Sequence, residues 1–168
     1  MKTLEDFTQP TWTFTTSELD RRPFAIYTVA LARLGYLVRS IRGVKCRSVQ
    51  SMLDEFSAAL QFPYYFGDNW PAFDECMNDL DWLSRSETRL DFGAGIVLAV
   101  WDSGEVLSES YPDALGILAG TLRSANEYFA TPHHRGEPWD HDAIPFHVIF
   151  HGHDASSFKS WAKLVELH

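Results

Sequence analysis

The sequence predicts an α/β fold, a small and mainly parallel β-sheet of about three core strands packed with helices. Three observations predict it. Strand-like and helix-like patterns alternate along the chain, the order that produces crossover units and parallel pairing. The run Gly95-Ile96-Val97-Leu98-Ala99-Val100-Trp101 is continuously apolar between Gly93 and Asp102, as in a strand buried on both faces. Finally, 168 residues that are 45% hydrophobic and 14% aromatic, six Trp among them, suffice for one domain with a substantial core and exclude a disordered chain.

Taken in order, residues 1–20 are Thr-rich and polar around Trp12 and Phe14 and read as an irregular arm. After Pro23, the apolar run Phe24 to Leu34 fits a short strand or a strand leading into a helical turn. Residues 1–34 are thus an N-terminal extension. Tyr36 to Arg42 alternates in polarity up to Gly43, which marks a strand. Ser48 with Ser51 offers a helix start, and Val49, Met52, Leu53, Phe56, Ala59 and Leu60 give the stripe of a helix over 48–60. A second helix is expected over 69–82, with Asp68 as its N-cap. The polar stretch 85–92 is a connector, and the apolar run 95–101 is the second strand. Leu115, Leu118, Leu122 and Phe129 mark a helix over 111–129. Residues 131–145 are polar, Pro-containing and His-rich, hence a loop. Pro145 to His151 is the last strong strand, and 156–167 fits a short terminal helix.

The most informative segment is Phe62-Pro63-Tyr64-Tyr65-Phe66-Gly67-Asp68-Asn69-Trp70 and the helix it feeds. Trp70, Phe73, Cys76, Met77, Leu80 and Leu83 are three or four apart and trace one helical stripe. The opposite face carries Asp74, Glu75, Asn78, Asp79 and Asp81, and no Lys or Arg lies between Asp68 and Asp81. Glu75 and Asp79 form a like-charge pair that costs a few tenths of a kcal/mol. Solvated faces usually mix signs, so an unpaired acidic face beside aromatics points to a cationic partner.

These residues, with Ala72-Phe73, Cys76-Met77 and Asp79-Leu80-Asp81-Trp82-Leu83, resemble the barstar family of intracellular ribonuclease inhibitors. The resemblance is densest over 60–83 and extends over a barstar-like domain at 35–152, with 153–168 as a C-terminal helix or tail. It implies that loop and helix plug the active site of a small basic ribonuclease, with carboxylates where RNA phosphates would lie. By residue, it implies contacts from Tyr65 and Gly67, a polar contact from Asn69 at the helix start, and the central inhibitory acid at Glu75. Asp74, Asn78 and Asp79 complete the candidate partner-binding set. Two positions depart from the pattern: Pro71 stands where well-known inhibitors carry Asp, which removes one charge, and Asp74 stands where the barnase inhibitor has an aromatic residue. Pro is harmless in a first helical turn, where N–H groups lack intrahelical partners.

Net charge is −9, which argues against binding nucleic acid through phosphate contacts. Residues 21–47 hold seven Arg or Lys and no acid, whereas 54–113 hold thirteen acids against Arg85 and Arg89; the molecule is bipolar if those stretches face apart. There is no signal-peptide pattern and no run of membrane-spanning length, so the expected address is cytoplasmic. Cys46 and Cys76 give neither a disulfide framework nor zinc spacing, and Cys76, on the apolar stripe, reads as a small buried hydrophobe. His147 and His151 would share a strand face near Asp154, with His133, His134, His141 and His153 around them. Without HExxH or a comparable motif, structural or surface roles outweigh a metal role. No phosphate loop, nucleophile elbow or CxxC occurs, and nothing in the sequence fixes the pKa difference that Glu75 and Asp79 would need as an acid/base pair. The expectation is therefore a binding protein, with no enzymatic activity, cofactor or metal. The resemblance implies that it acts as an immunity protein that occludes a basic ribonuclease toxin. A regulator of a different basic protein and, more remotely, a metal-dependent hydrolase built on the C-terminal histidines are the competing readings.

Overall fold

A computed structural model describes residues 13–87 and 89–165. Four parallel strands, β1 (Thr13–Ser17), β2 (Leu37–Arg42), β3 (Ile96–Trp101) and β4 (Phe146–His151), form one sheet in the order β1-β4-β3-β2. Four helices accompany them: α1 (Arg21–Arg33), α2 (Val49–Leu60), α3 (Trp70–Met77) and α4 (Ala114–Ala130). The α/β class and the parallel sheet are as expected from sequence. The fourth strand is additional.

Strand alternation divides the core into two layers. Ile41, Ile96, Leu98, Val100, Phe146, Val148 and Phe150 face α2, α3 and α4, where they meet Met52, Phe56, Phe73, Met77, Leu118 and Leu122. Val97, Ala99 and Ile149 face the other way, onto Phe24 and Leu31 of α1 and onto Tyr36. β3 and β4 are therefore covered on both faces, which is why they read as continuous apolar runs. α2 starts where the sequence places it. The Ser48 hydroxyl accepts from Ser51 N–H while the Ser51 hydroxyl accepts from Ser48 N–H, a reciprocal capping box.

Three readings are corrected. The first concerns the described part of the N-terminal extension; Trp12 and the residues before it lie outside the described residues. In place of an irregular arm, Thr13–Ser17 is an edge strand paired with β4, and the segment after Pro23 is helix, not strand. β1 buries Thr15 and Ser17 beside Phe14, so its polar alternation hides a buried strand. α1 buries Phe24, Thr28 and Leu31 on one side while Ile26 and Val29 stay exposed, and that blurred stripe obscures the helical period.

The second correction concerns α3, which ends at Met77, not near residue 82. Asn78 closes it: its backbone N–H reaches the carbonyls of Asp74 and Glu75, and its side-chain amide donates to Asp74 O at 2.8 Å. Leu80 then adopts a left-handed conformation (φ 53°) and a 3₁₀ turn runs over Asp81–Leu83. The apolar period outlasts the helix because Leu80 is still fully buried, and burial over-determines a backbone conformation that costs a leucine of order 1–3 kcal/mol. The third correction is at the tail, where 3₁₀ turns at Ala155–Phe158 and Trp161–Lys163 replace a terminal helix. Trp161 holds the tail down: it stacks on Phe150 at 4.2 Å, and its indole donates to Ser103 O at 3.0 Å.

Candidate partner-binding face

The loop between α2 and α3 is shaped by what lies beneath it. α2 terminates at Gln61 in a left-handed conformation (φ 53°), which turns the chain so that Phe62 points inward. Its ring meets Phe66 at 5.0 Å, Trp82 at 5.9 Å and Phe73 at 6.0 Å. Phe66 N–H closes a turn onto Pro63 O at 2.9 Å. With Phe62 and Phe66 used as anchors, the two residues between them are pushed outward. Tyr64 is wholly exposed and Tyr65 is 67% exposed. Large aromatic rings held in water on a pinned loop are contact surface at low ordering cost. The sequence picked out Tyr65; Tyr64 was missed, although its place in the same Tyr-Tyr pair was the available signal.

Asn69, not Asp68, caps α3. Its side-chain carbonyl accepts from Ala72 N–H at 3.0 Å and its amide donates to Gly67 O at 2.8 Å. Asp68 instead takes φ 48°. A Cβ on Gly67 would sit 3.0 Å from the Asn69 amide, so a bare glycine allows the cap to fold over the loop. Gly67 and Asn69 thus have structural work in the free protein. Pro71 lies in the first turn, where it blocks no intrahelical bond. Trp70, on the apolar stripe, and Phe66 are half-buried. The Trp70 indole donates to the Tyr111 hydroxyl at 2.9 Å, a contact across 41 residues that no local pattern announces.

The candidate carboxylates divide into two groups. Asp74 and Asn78 face α4: the Thr121 hydroxyl donates to Asp74 at 3.0 Å, and the Ser124 hydroxyl to the Asn78 side-chain oxygen at 3.3 Å. These bonds fasten α3 to α4. Glu75, Asp79 and Asp81 gather on the side of Tyr65. Tyr65 has its pKa raised, by desolvation and then by Asp79, Asp81 and Glu75 among its neighbours, so one tyrosine senses all three acids. Asp79 is half-buried, and burial raises its pKa, as do the neighbouring charges of Asp81 and Glu75, against one backbone N–H that favours the ionised form. Cys76, buried below them, is pushed up to about 11 by burial, Glu75 and Asp79, so it remains a thiol and not a nucleophile.

Among the described residues, none of these carboxylates, Asp74, Glu75, Asp79 or Asp81, takes part in an ion pair. The arginines that do pair with acids use other ones: Arg21 with Asp102, Arg42 with Glu55, and Arg47 with Glu105 and Glu109. The face is therefore a set of unneutralised acids beside two protruding tyrosines on a fixed scaffold. Such a surface raises the local concentration of a cationic partner and can replace phosphate groups in a basic cleft.

The histidines do not converge. His147 and His151 share a face, as expected, and both are wholly buried. His151 Nε2 lies 2.9 Å from Leu19 O, and its Nδ1 is 3.4 Å from Asp102 N–H, a pattern that suits the neutral ring with Nε2 protonated; burial lowers its pKa. His133 and His141 pair through their backbones within the 131–145 loop. Among the described residues, no group of three or more His, Cys, Asp or Glu is placed to hold a metal ion, and no helix is long and apolar enough to cross a membrane.

No curated protein matches the chain. The family model for barstar (barnase inhibitor) matches residues 36–151, the span from the start of β2 to the end of β4 that includes the tyrosine loop and the acidic helix. The chain belongs to the barstar (barnase inhibitor) family.

Proposed function

We propose that this protein inhibits a basic ribonuclease by filling its active-site cleft, and that it serves as an immunity protein against a ribonuclease toxin in the cytoplasm of the cell that makes it. It works as a binding protein, without catalysis or cofactor. The observation that carries this reading is the unneutralised group Glu75, Asp79 and Asp81 beside the exposed Tyr65. The mechanism is competitive occlusion. A ribonuclease cleft is cationic because it binds phosphates, so the acidic face speeds encounter by steering and pairs with cleft cations as water is expelled. Preorganisation lowers the ordering cost: the loop is pinned by Phe62 and Phe66, and α3 is bonded to α4. Family membership supports the occlusion; the choice of nuclease follows from this chain's own acids. With Pro71 in place of an acid, the charge available to the partner is shifted toward Glu75, Asp79 and Asp81.

The test is inhibition of RNA cleavage, first with barnase and then with small basic nucleases from the same genome. Stoichiometric inhibition that disappears with added RNA substrate is the expected result. Glu75→Ala should weaken binding by more than about 2 kcal/mol, roughly thirtyfold, a magnitude set in part by the barnase–barstar pair itself. If Glu75→Ala binds as tightly as the parent, the partner docks elsewhere. A basic protein without nuclease activity captured on the Glu75 face would favour the alternative reading, a regulator of another basic protein.

A further inference from the structure

Beside the acidic face lies a groove that the family resemblance does not assign. Its far wall is the polar loop between α4 and β4, which is well tied. His133 and His141 exchange backbone hydrogen bonds at 2.8 and 3.0 Å, and the Asp140 carboxylate accepts from Arg135 and Gly136 N–H at 2.7 and 2.6 Å. Leu90 N–H reaches Asp140 O at 3.3 Å, joining the loop to the connector after α3. On this fixed loop Trp139 is 52% exposed. Across from it stands Trp82, whose indole is held by Leu60 O at 2.9 Å. Between them is a groove of about 330 Å³ lined by Asp81, Glu87, Arg89 and Pro138 as well as the two indoles.

Two features identify the occupant. The first is continuity: Asp81 lines the groove and is also near enough to Asp79 and Tyr65 to raise the pKa of both, so the groove and the acidic face share a carboxylate. The second is chemistry. Asp81 and Glu87 outnumber Arg89, and the lining includes two indoles. A planar guanidinium satisfies both, because it stacks on an aromatic ring and forks to a carboxylate, whereas an ammonium is a more strongly hydrated point charge. We infer that the groove between Trp82 and Trp139 is a second contact pocket of the same interface and takes an arginine side chain of the basic partner, with its guanidinium on Trp139 and against Asp81. This rests on the nuclease-inhibitor reading for its biological role, but the pocket itself can be tested without a nuclease.

The probe is N-acetylarginine amide, titrated into the ¹⁵N-labelled full chain while the indole N–H signals are followed, with N-acetylglycine amide at matched ionic strength as control. The expected result is a saturable shift at Trp139 and Trp82, with none at the buried Trp161. Asp81→Asn and Trp139→Leu should each weaken it by about two- to fivefold, the scale of one exposed cation–π or ion contact. Absence of a saturable shift, or shifts unchanged by both substitutions, would overturn the pocket. Once a ribonuclease partner is in hand, an unchanged Kd for Trp139→Leu would overturn the pocket's place in that interface. A positive arginine titration beside failure to inhibit any ribonuclease would instead remove the nuclease reading and leave the arginine pocket standing.

Discussion

Asp79 is the residue where binding and stability should pull in opposite directions. In the free protein it is half-buried between two like charges, and burial, Asp81 and Glu75 all raise its pKa. An acid whose folded pKa lies above its unfolded value, about 3.9, opposes folding whenever it is ionised. The penalty is full at neutral pH, fades as pH falls through the folded pKa, and vanishes below the unfolded one. Asp79→Asn removes the charge in nearly the same shape. With two like-charge neighbours at about 0.2–0.5 kcal/mol each, the variant should gain about 0.4–1 kcal/mol, or about 1–4 °C in Tm for a chain of this size. Urea unfolding at pH 7.5 and again near pH 4 is the assay: the variant should lead at the higher pH and the gap should narrow at the lower. Binding to the ribonuclease should weaken at the same time. An Asn variant that is less stable than the parent at pH 7.5, or a gap that ignores pH, would refute the argument that Asp79 is held at a cost for its partner.

Other outcomes follow from the same geometry. Association with a ribonuclease should slow steeply as ionic strength rises to physiological values, where the Debye length is about 8 Å, while dissociation changes less; stopped-flow mixing over a salt series reads this directly. Phe62→Ala should cost about 2–3 kcal/mol, below the full value for a buried ring because Phe62 is half-buried, and should free Tyr64 and Tyr65, visible as faster amide exchange over 64–67 and weaker binding. Glu55, buried in α2, accepts from the backbone N–H and guanidinium of Arg42 at 2.7–3.0 Å. Burial alone would raise its pKa, but these bonds and the Arg42 charge bring it below the usual carboxylate range. Its stabilising effect is therefore present above the unfolded value, about 4.3, and lost as pH falls through the folded pKa. Glu55→Gln should unfold earlier than the parent at pH 7, with the difference closing in acid.

The sequence was most legible where a pattern has one physical cause. Burial on two faces makes β3 a continuous apolar run, and the capping box at Ser48 sets the start of α2. It was least legible where two causes overlap. α1 keeps Ile26 and Val29 in solvent, so its apolar residues encircle the helix. Leu80 continues the helical period by facing the same core from a turn, so the stripe conceals the end of α3. The acidic face was readable because missing cations are visible in one dimension. Its division was not, because Thr121 and Ser124 come from a helix more than forty residues away; Tyr111, the partner of Trp70, lies just before that helix. The Trp139 groove was invisible for the same reason: its two indoles lie 57 residues apart and meet only when the loop before β4 is tied to the connector after α3.

The placement of α1 has a consequence for how the molecule moves before it touches anything. α1 covers the face of the sheet opposite to α3, and it presents Arg22 and Arg33 to solvent while α3 and the turn after it present Glu75, Asp79 and Asp81. The exposed cations of α1 and the acids of α3 and the turn after it are thus separated by the sheet, so the charge is uneven across it. In the field of a cationic cleft such a body experiences a torque as well as an attraction. It turns during approach, so the acidic face leads and fewer encounters are spent on the wrong side. If the partner docks on the acidic face as proposed, an N-terminal layer on the opposite side of the sheet would then help to set the rate at which it is caught.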